Sequence, residues 1–207
     1  MKSNVLYQIL FFAIIVLIIL GAGSIPFYYE SPSMYYKFGA DKNLLRFGKI
    51  FGLIALVLLV LQPVFIAKIS IVEKIFGLKK LFFFHKINAF VLIAAALLHP
   101  ILVLASNQFA FFSFEVRYWP EFLGVFLLIL LVIMVVVSFW QKTIGVSQKT
   151  WLMLHRVMAP IIMGLLFVHV LNVSKTFEAD LPFYAVSLAA AISVFLFVKK
   201  YISRIRK

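Results

Sequence analysis

The sequence predicts an all-α, polytopic membrane protein, a six-transmembrane-helix bundle with both termini cytoplasmic, and three observations predict it. The 207 residues are 65% hydrophobic and 13% charged, with a mean hydropathy of +1.11; soluble domains run at about 45–50% apolar and about 25% charged. Six apolar runs, at about 5–23, 47–67, 82–105, 122–140, 151–172 and 182–198, reach the roughly 20 residues that a hydrocarbon core about 30 Å thick requires. Finally, Lys and Arg crowd the alternate connecting segments. With the N-terminus inside, 14 of them fall on the cytoplasmic side, against six (Lys37, Lys42, Arg46, Lys49, Arg117 and Lys175) on the other, as the positive-inside rule asks.

The elements follow in order. The first run, Val5 to Leu20, precedes Gly21-Ala22-Gly23-Ser24, which faintly resembles a leader-cleavage site. One basic residue before a long run reads better as a retained helix. Tyr28, Tyr29, Tyr35 and Tyr36 in the first outer loop are interfacial anchors. Segment 68–81 (KISIVEKIFGLKKL) puts Ile71, Val72, Ile75 and Phe76 on one helical face, predicting an amphipathic helix in the cytoplasmic interface. Segment 106–120 (SNQFAFFSFEVRYWP), rich in aromatics, is expected at the opposite headgroup level. The six spans leave no stretch for a sizeable soluble domain, so residues 1–207 read as one membrane domain, expected in the plasma membrane.

Composition removes several function classes. There is no cysteine, hence no disulfide, thiolate cluster or cysteine nucleophile. The net charge of +13 lies in short segments beside the apolar runs, where it sets topology and contacts anionic membrane lipid, not nucleic acid.

Chemistry concentrates in four histidines, His85, His99, His155 and His169, all in the third and fifth spans. Ionisable side chains inside membrane helices are costly and usually functional. Each span holds its pair 14 residues apart, about 3.9 turns, so the two share a face roughly 21 Å apart along the axis. Both spans run from the cytoplasm outward, giving an inner tier (His85, His155) and an outer tier (His99, His169). Facing imidazoles in a bundle core can take both axial positions of a haem iron. The shared faces carry Ala89, Leu92 and Ala96 on one helix and Ala159, Ile162 and Leu166 on the other; small residues there suit a macrocycle and equally suit plain helix packing. Lys86 and Arg156, each following an inner histidine, are candidate propionate partners or ordinary snorkelling residues. Arg117 and Lys175 are the corresponding outer candidates. Zinc or copper fits less well, since no Asp or Glu lies inside these spans. A non-redox transporter with a His-lined path is the alternative from another class.

The stretches FFFHKINAFVLIAAALLHPILV (82–103) and WLMLHRVMAPIIMGLLFVHVL (151–171) resemble the paired histidine helices of the ferric reductase-like transmembrane domain. That family includes ferric-chelate reductases, NADPH oxidases and the membrane haem subunit of bacterial methionine sulfoxide reductase. The resemblance covers the six-span core and rests on the four histidines, Lys86, Arg156, the His99-Pro100 pair and Trp151. It implies two b-type haems (heme b), ligated by His85/His155 and His99/His169, in an oxidoreductase membrane subunit that moves electrons across the membrane. Stand-alone members carry a flavin- and nicotinamide-binding domain after the sixth helix. This sequence ends at Arg204-Ile205-Arg206-Lys207 without a GxGxxG fingerprint, so FAD or FMN is expected on a partner, a cytoplasmic flavoprotein reductase, or else on a domain beyond the sequence given. The methionine sulfoxide reductase subunit tends to have one histidine on the third span, and the two here point towards the two-haem members.

Overall fold

Residues 2–110 and 114–205 are described by the computed structural model of the chain. Among the described residues eight α-helices follow one another: α1 (Lys2–Tyr28), α2 (Pro32–Tyr35), α3 (Gly39–Ile66), α4 (Ser70–Phe76), α5 (Leu78–Ala105), α6 (Trp119–Trp140), α7 (Gln148–Val173) and α8 (Asp180–Ile205). No strand occurs among the described residues. Six helices, α1, α3 and α5 to α8, are long and apolar enough to cross a membrane, and each extends beyond its apolar run. The reason is local: helical hydrogen bonding continues through polar flanks until a cap or breaker stops it. Thus α7 opens at Ser147, whose Oγ accepts from Thr150 N at 3.1 Å, the usual serine N-cap.

The segment expected as one amphipathic helix over 68–81 is shorter. Gly77 has φ +74°, a left-handed conformation that costs glycine little. It ends α4 after seven residues, and Leu78 already belongs to α5. Val72 and Phe76 are buried against Phe65 and Leu81, whereas Ile71 is 70% exposed. The buried face is turned from the expected one because α4 packs on the ends of α3 and α5. Of the aromatic segment 106–120, residues 111–113 lie outside the described residues, as do the side chains of Lys2 and of 203–207 from the basic tail. Phe114 stacks on Phe122 with ring centres 5.5 Å apart, and a 3-10 turn (Val116–Tyr118) leads into α6.

Helix α3 is the axis of the bundle. Its Leu53, Leu56, Leu58 and Leu59 pack in one core with Leu92 of α5, Leu127 of α6, Ile162 and Phe167 of α7 and Val186 of α8. The outward apolar residues of α1, such as Leu17 and Leu20, suit lipid. Packing between lipid-immersed helices rests on van der Waals fit and interhelical hydrogen bonds more than on expulsion of water. One such bond, Asn88 Nδ2 donating to Leu58 O at 2.7 Å, ties α5 to α3 and is worth about 0.6 kcal/mol. Helix α1 is anchored by Gln8 Nε2 donating to Ile75 O at 2.9 Å and by Phe11 and Phe12 against Phe76. At the opposite end Glu30 pairs with Lys42 at 3.1 Å and with Arg46. The Lys42 hydrogen bond, with Arg46 beside it, holds the Glu30 carboxyl below the usual carboxylate range. Lys37 donates to Ser106 O and Asn107 Oδ1, both at 2.6 Å, so the first outer loop is bound to the end of α5.

Candidate cofactor site: two tiers of paired histidines

Helices α5 and α7 run unbroken between their histidines, so each 14-residue pair keeps a common face. The structure brings the inner tier together directly: the His85 and His155 rings lie 6.2 Å apart, centre to centre, at 81°. They border a cleft whose walls include Ala89 and Leu92 of α5, Ala159, Ile162 and Met163 of α7, and Phe197 of α8. Both alanines predicted one turn from the inner histidines therefore face it. Ala96 and Leu166 lie beyond it. The lining is almost wholly apolar; apart from the histidines, its polar side chains are Gln62 and Ser138.

Second partners of the two inner rings differ. Gln62 of α3 places its amide 2.5 Å from His85 Nδ1. With the amide nitrogen towards the ring, the amide oxygen accepts from Asn88 Nδ2 (3.3 Å) and Ala89 N (3.1 Å), and the ring hydrogen then sits on Nε2. With the amide oxygen towards the ring, Nδ1 carries the hydrogen and Nε2 offers its lone pair. His155 Nδ1 is buried without a partner among the described residues, and Trp151 packs 5.2 Å from the ring.

The outer tier is held differently. His99 Nδ1 lies 2.8 Å from Gly48 O of α3, and His169 Nδ1 lies 2.8 Å from Pro120 O of α6. A carbonyl only accepts, so Nδ1 must donate, and Nε2 is left with its lone pair. That is the arrangement in which histidine ligates metals.

The basic candidates are spread more widely. Lys86 and Arg156 are exposed; one residue after a histidine, each is turned about 100° around its helix from the shared face. Arg117 is exposed, pairs with Glu115 at 2.9 Å and lies over the Tyr118 ring at 4.7 Å. Lys175 is exposed in the turn before α8. Sequence reasoning did not single out Gln62, Gly48, Gly52, Pro120 and Gly124, nor Lys200 as a site residue. Lys200 is half-buried on α8, and its charge bears on both inner histidines. Three of these left a trace: Gln62 is a lone amide in an apolar run, and Gly48-x-x-x-Gly52 is a close-packing motif.

The donor set can be tested against a haem. A metal–imidazole length of about 2.0–2.1 Å on each side, plus two ring radii, sets ring centres roughly 6 Å apart; the inner pair meets this. The cleft is apolar and is bordered by both inner imidazoles. Its free volume is about 100 Å³, below the roughly 300–1,000 Å³ of small-molecule pockets, so a macrocycle must push side chains aside. Met134, Met163 and Phe197 on its walls are rotatable enough to move. Three or more His, Asp or Glu do not converge anywhere among the described residues, which disfavours a zinc-type centre. The residues fit a haem held by two histidines.

Fold and site define a multi-pass integral membrane protein in which one pair of histidines, His85 and His155, faces across two of its helices, with a further histidine 14 residues along each. The family model for the ferric reductase like transmembrane component matches residues 51–166, more than half of the chain, and the protein belongs to that family. The match takes in the inner pair and His99. Members generally bind haem, and the domain suggests transmembrane electron transfer. Neither a curated protein nor a solved structure matches the chain.

Proposed function

We propose that this protein conducts electrons across a membrane through two b-type haems, one held by His85 and His155 and one by His99 and His169. The observation that carries the reading is the inner pair, two imidazoles at ligand spacing across an apolar cleft, with a second histidine 14 residues along each of the two helices. Bound haem supplies a one-electron carrier at each tier. The chain's own contribution is positional. Gln62, whose amide lies 2.5 Å from His85 Nδ1, stands against the inner ring, and Lys200 brings positive charge to the same end for the propionates. The alanines at 89 and 159 put only a methyl group each on the cleft wall one turn from the inner histidines. The experiment is a pyridine haemochrome assay against protein concentration, with two haems per chain expected. A ratio near one defeats the two-tier reading, and a colourless protein defeats the electron-transfer reading altogether.

Orientation and donor belong to the same proposal. The charge asymmetry favours both termini and the inner tier on the cytoplasmic side, and we place the protein in the plasma membrane. Hydride from a nicotinamide must pass through a flavin before single electrons can leave, so the donor is a cytoplasmic flavoprotein. Lys74, Lys79 and Lys80 are exposed at the junction of α4 and α5, forming a positive rim that steers an acidic partner. Changing all three to Glu is expected to slow haem reduction by the flavoprotein at least about tenfold at low salt, measured by stopped flow. A rate indifferent to both charge reversal and salt overturns this docking surface.

A further inference from the structure

The two outer histidines sit in the same device, built twice. In an α-helix the carbonyl of residue i accepts from the N–H of residue i+4, and its second lone pair usually lies under the side chain of that residue. In α3 the carbonyl that receives His99 belongs to Gly48, and the residue four further on is Gly52. In α6 the carbonyl that receives His169 belongs to Pro120, and the residue four further on is Gly124. A Cβ added at Gly52 would lie 2.9 Å from His99 Nδ1 and 3.1 Å from its Cε1; one added at Gly124 would lie 2.7 Å from His169 Cε1 and 3.2 Å from its Nδ1. Both imidazoles therefore occupy the space of a missing side chain. A methyl group cannot be admitted by a small ring swing, because each ring is tethered through Nδ1 to the backbone beside that glycine. By contrast, Gly164 in α7 has open space where its Cβ would be.

We infer that Gly52 and Gly124, with the carbonyls of Gly48 and Pro120, are positioning residues for the outer pair of ligands. They clear one face of the neighbouring helix so that each imidazole donates Nδ1–H to a carbonyl and turns its Nε2 towards the bundle interior. This inference rests on the proposed two-haem reading and adds the residues that set ligand orientation at one tier. The inner tier has no such cradle: His85 meets a side-chain amide that can turn over, and His155 Nδ1 has no partner among the described residues. A locked outer tier and an adjustable inner one follow from that difference. Donation of Nδ1–H to a carbonyl also raises the basicity of the ligating nitrogen, so the glycines act on the redox potential of the outer site as well as on its occupancy.

The test uses the full chain with Gly52→Ala, Gly124→Ala and, as control, Gly164→Ala, each purified and assayed for haem content, low-spin ferric EPR signals and potentiometric titration. For Gly52→Ala and Gly124→Ala one haem is expected to be lost, or its EPR signal and midpoint potential shifted, with the other unchanged; Gly164→Ala should match the parent. Equal loss of both haems, or no change at either, overturns the inference. Should neither glycine variant accumulate, the unaltered protein still decides. Redox-difference infrared spectra with labelled histidine are expected to carry the ring mode of imidazoles donating Nδ1–H to a carbonyl, and their absence overturns it. A parent protein that binds no haem removes the proposed function itself, whereas two haems in the parent and in both alanine variants, with unshifted signals, removes only this inference.

Discussion

Replacing His99 or His169 with alanine is expected to leave one haem per chain, with the spectrum of the inner site intact, and replacing His85 or His155 is expected to give the converse. The tiers lie roughly 21 Å apart along the helices, beyond the about 7–10 Å over which substitutions without shared partners usually couple. Between them sits a closed layer: Leu92 and Ile162, each midway between the histidines of its helix, are 2% and 3% exposed and pack in one core with Leu127. Removing one ligand leaves that layer in place. Loss of an axial ligand is severe at its own tier, since the partner imidazole alone cannot complete the coordination. Reduced-minus-oxidised spectra of the four variants, scaled to protein, make the comparison. If His85→Ala and His99→Ala each emptied both tiers, the histidines would form a single folding unit and the pairing would lose its support.

Filling the inner cleft should be nearly as damaging without touching a ligand. Ala89→Phe or Ala159→Phe places a ring on the cleft wall one turn from His85 or His155. The free space there is already small, and overpacking typically costs about 1–3 kcal/mol, which is about a 5- to 150-fold loss of affinity. Inner-site haem is expected to fall by that order, with outer-site haem retained. Ala94→Phe on the exposed side of α5 is the matched control and should retain both. An unchanged inner spectrum in the cleft variants would mean that the macrocycle lies elsewhere.

The architecture was largely legible in the amino-acid sequence because its determinants are one-dimensional. Apolar runs long enough for a bilayer must form helices, since backbone groups in lipid have no water to satisfy them. The 14-residue repeat of His85–His99 and of His155–His169 places each pair on one face by helical arithmetic alone. Where the reading slipped, a local event intervened: Gly77 takes a left-handed turn and divides 68–81 between two helices.

The environment of the histidines was decided by neighbours remote in the chain. Gly48 is 51 residues from His99, and Pro120 is 49 from His169. Nothing in the periodicity of α5 or α7 announces which carbonyl their rings will meet. Gln62 reads only as an unexpected amide in an apolar run until α3 is seen to lie against α5. Arg117, a candidate for the outer site by its charge, is paired with Glu115 two residues away, while Lys200 reaches the inner tier from the far end of the sequence. Helical period determines which side chains share a face, and so the sequence alone placed His85 with His99 and His155 with His169 on one face of each helix. Which group stands opposite each ring, and hence its tautomer and freedom to turn, depends on how α3, α6 and α8 pack around α5 and α7, and only the tertiary structure decided that.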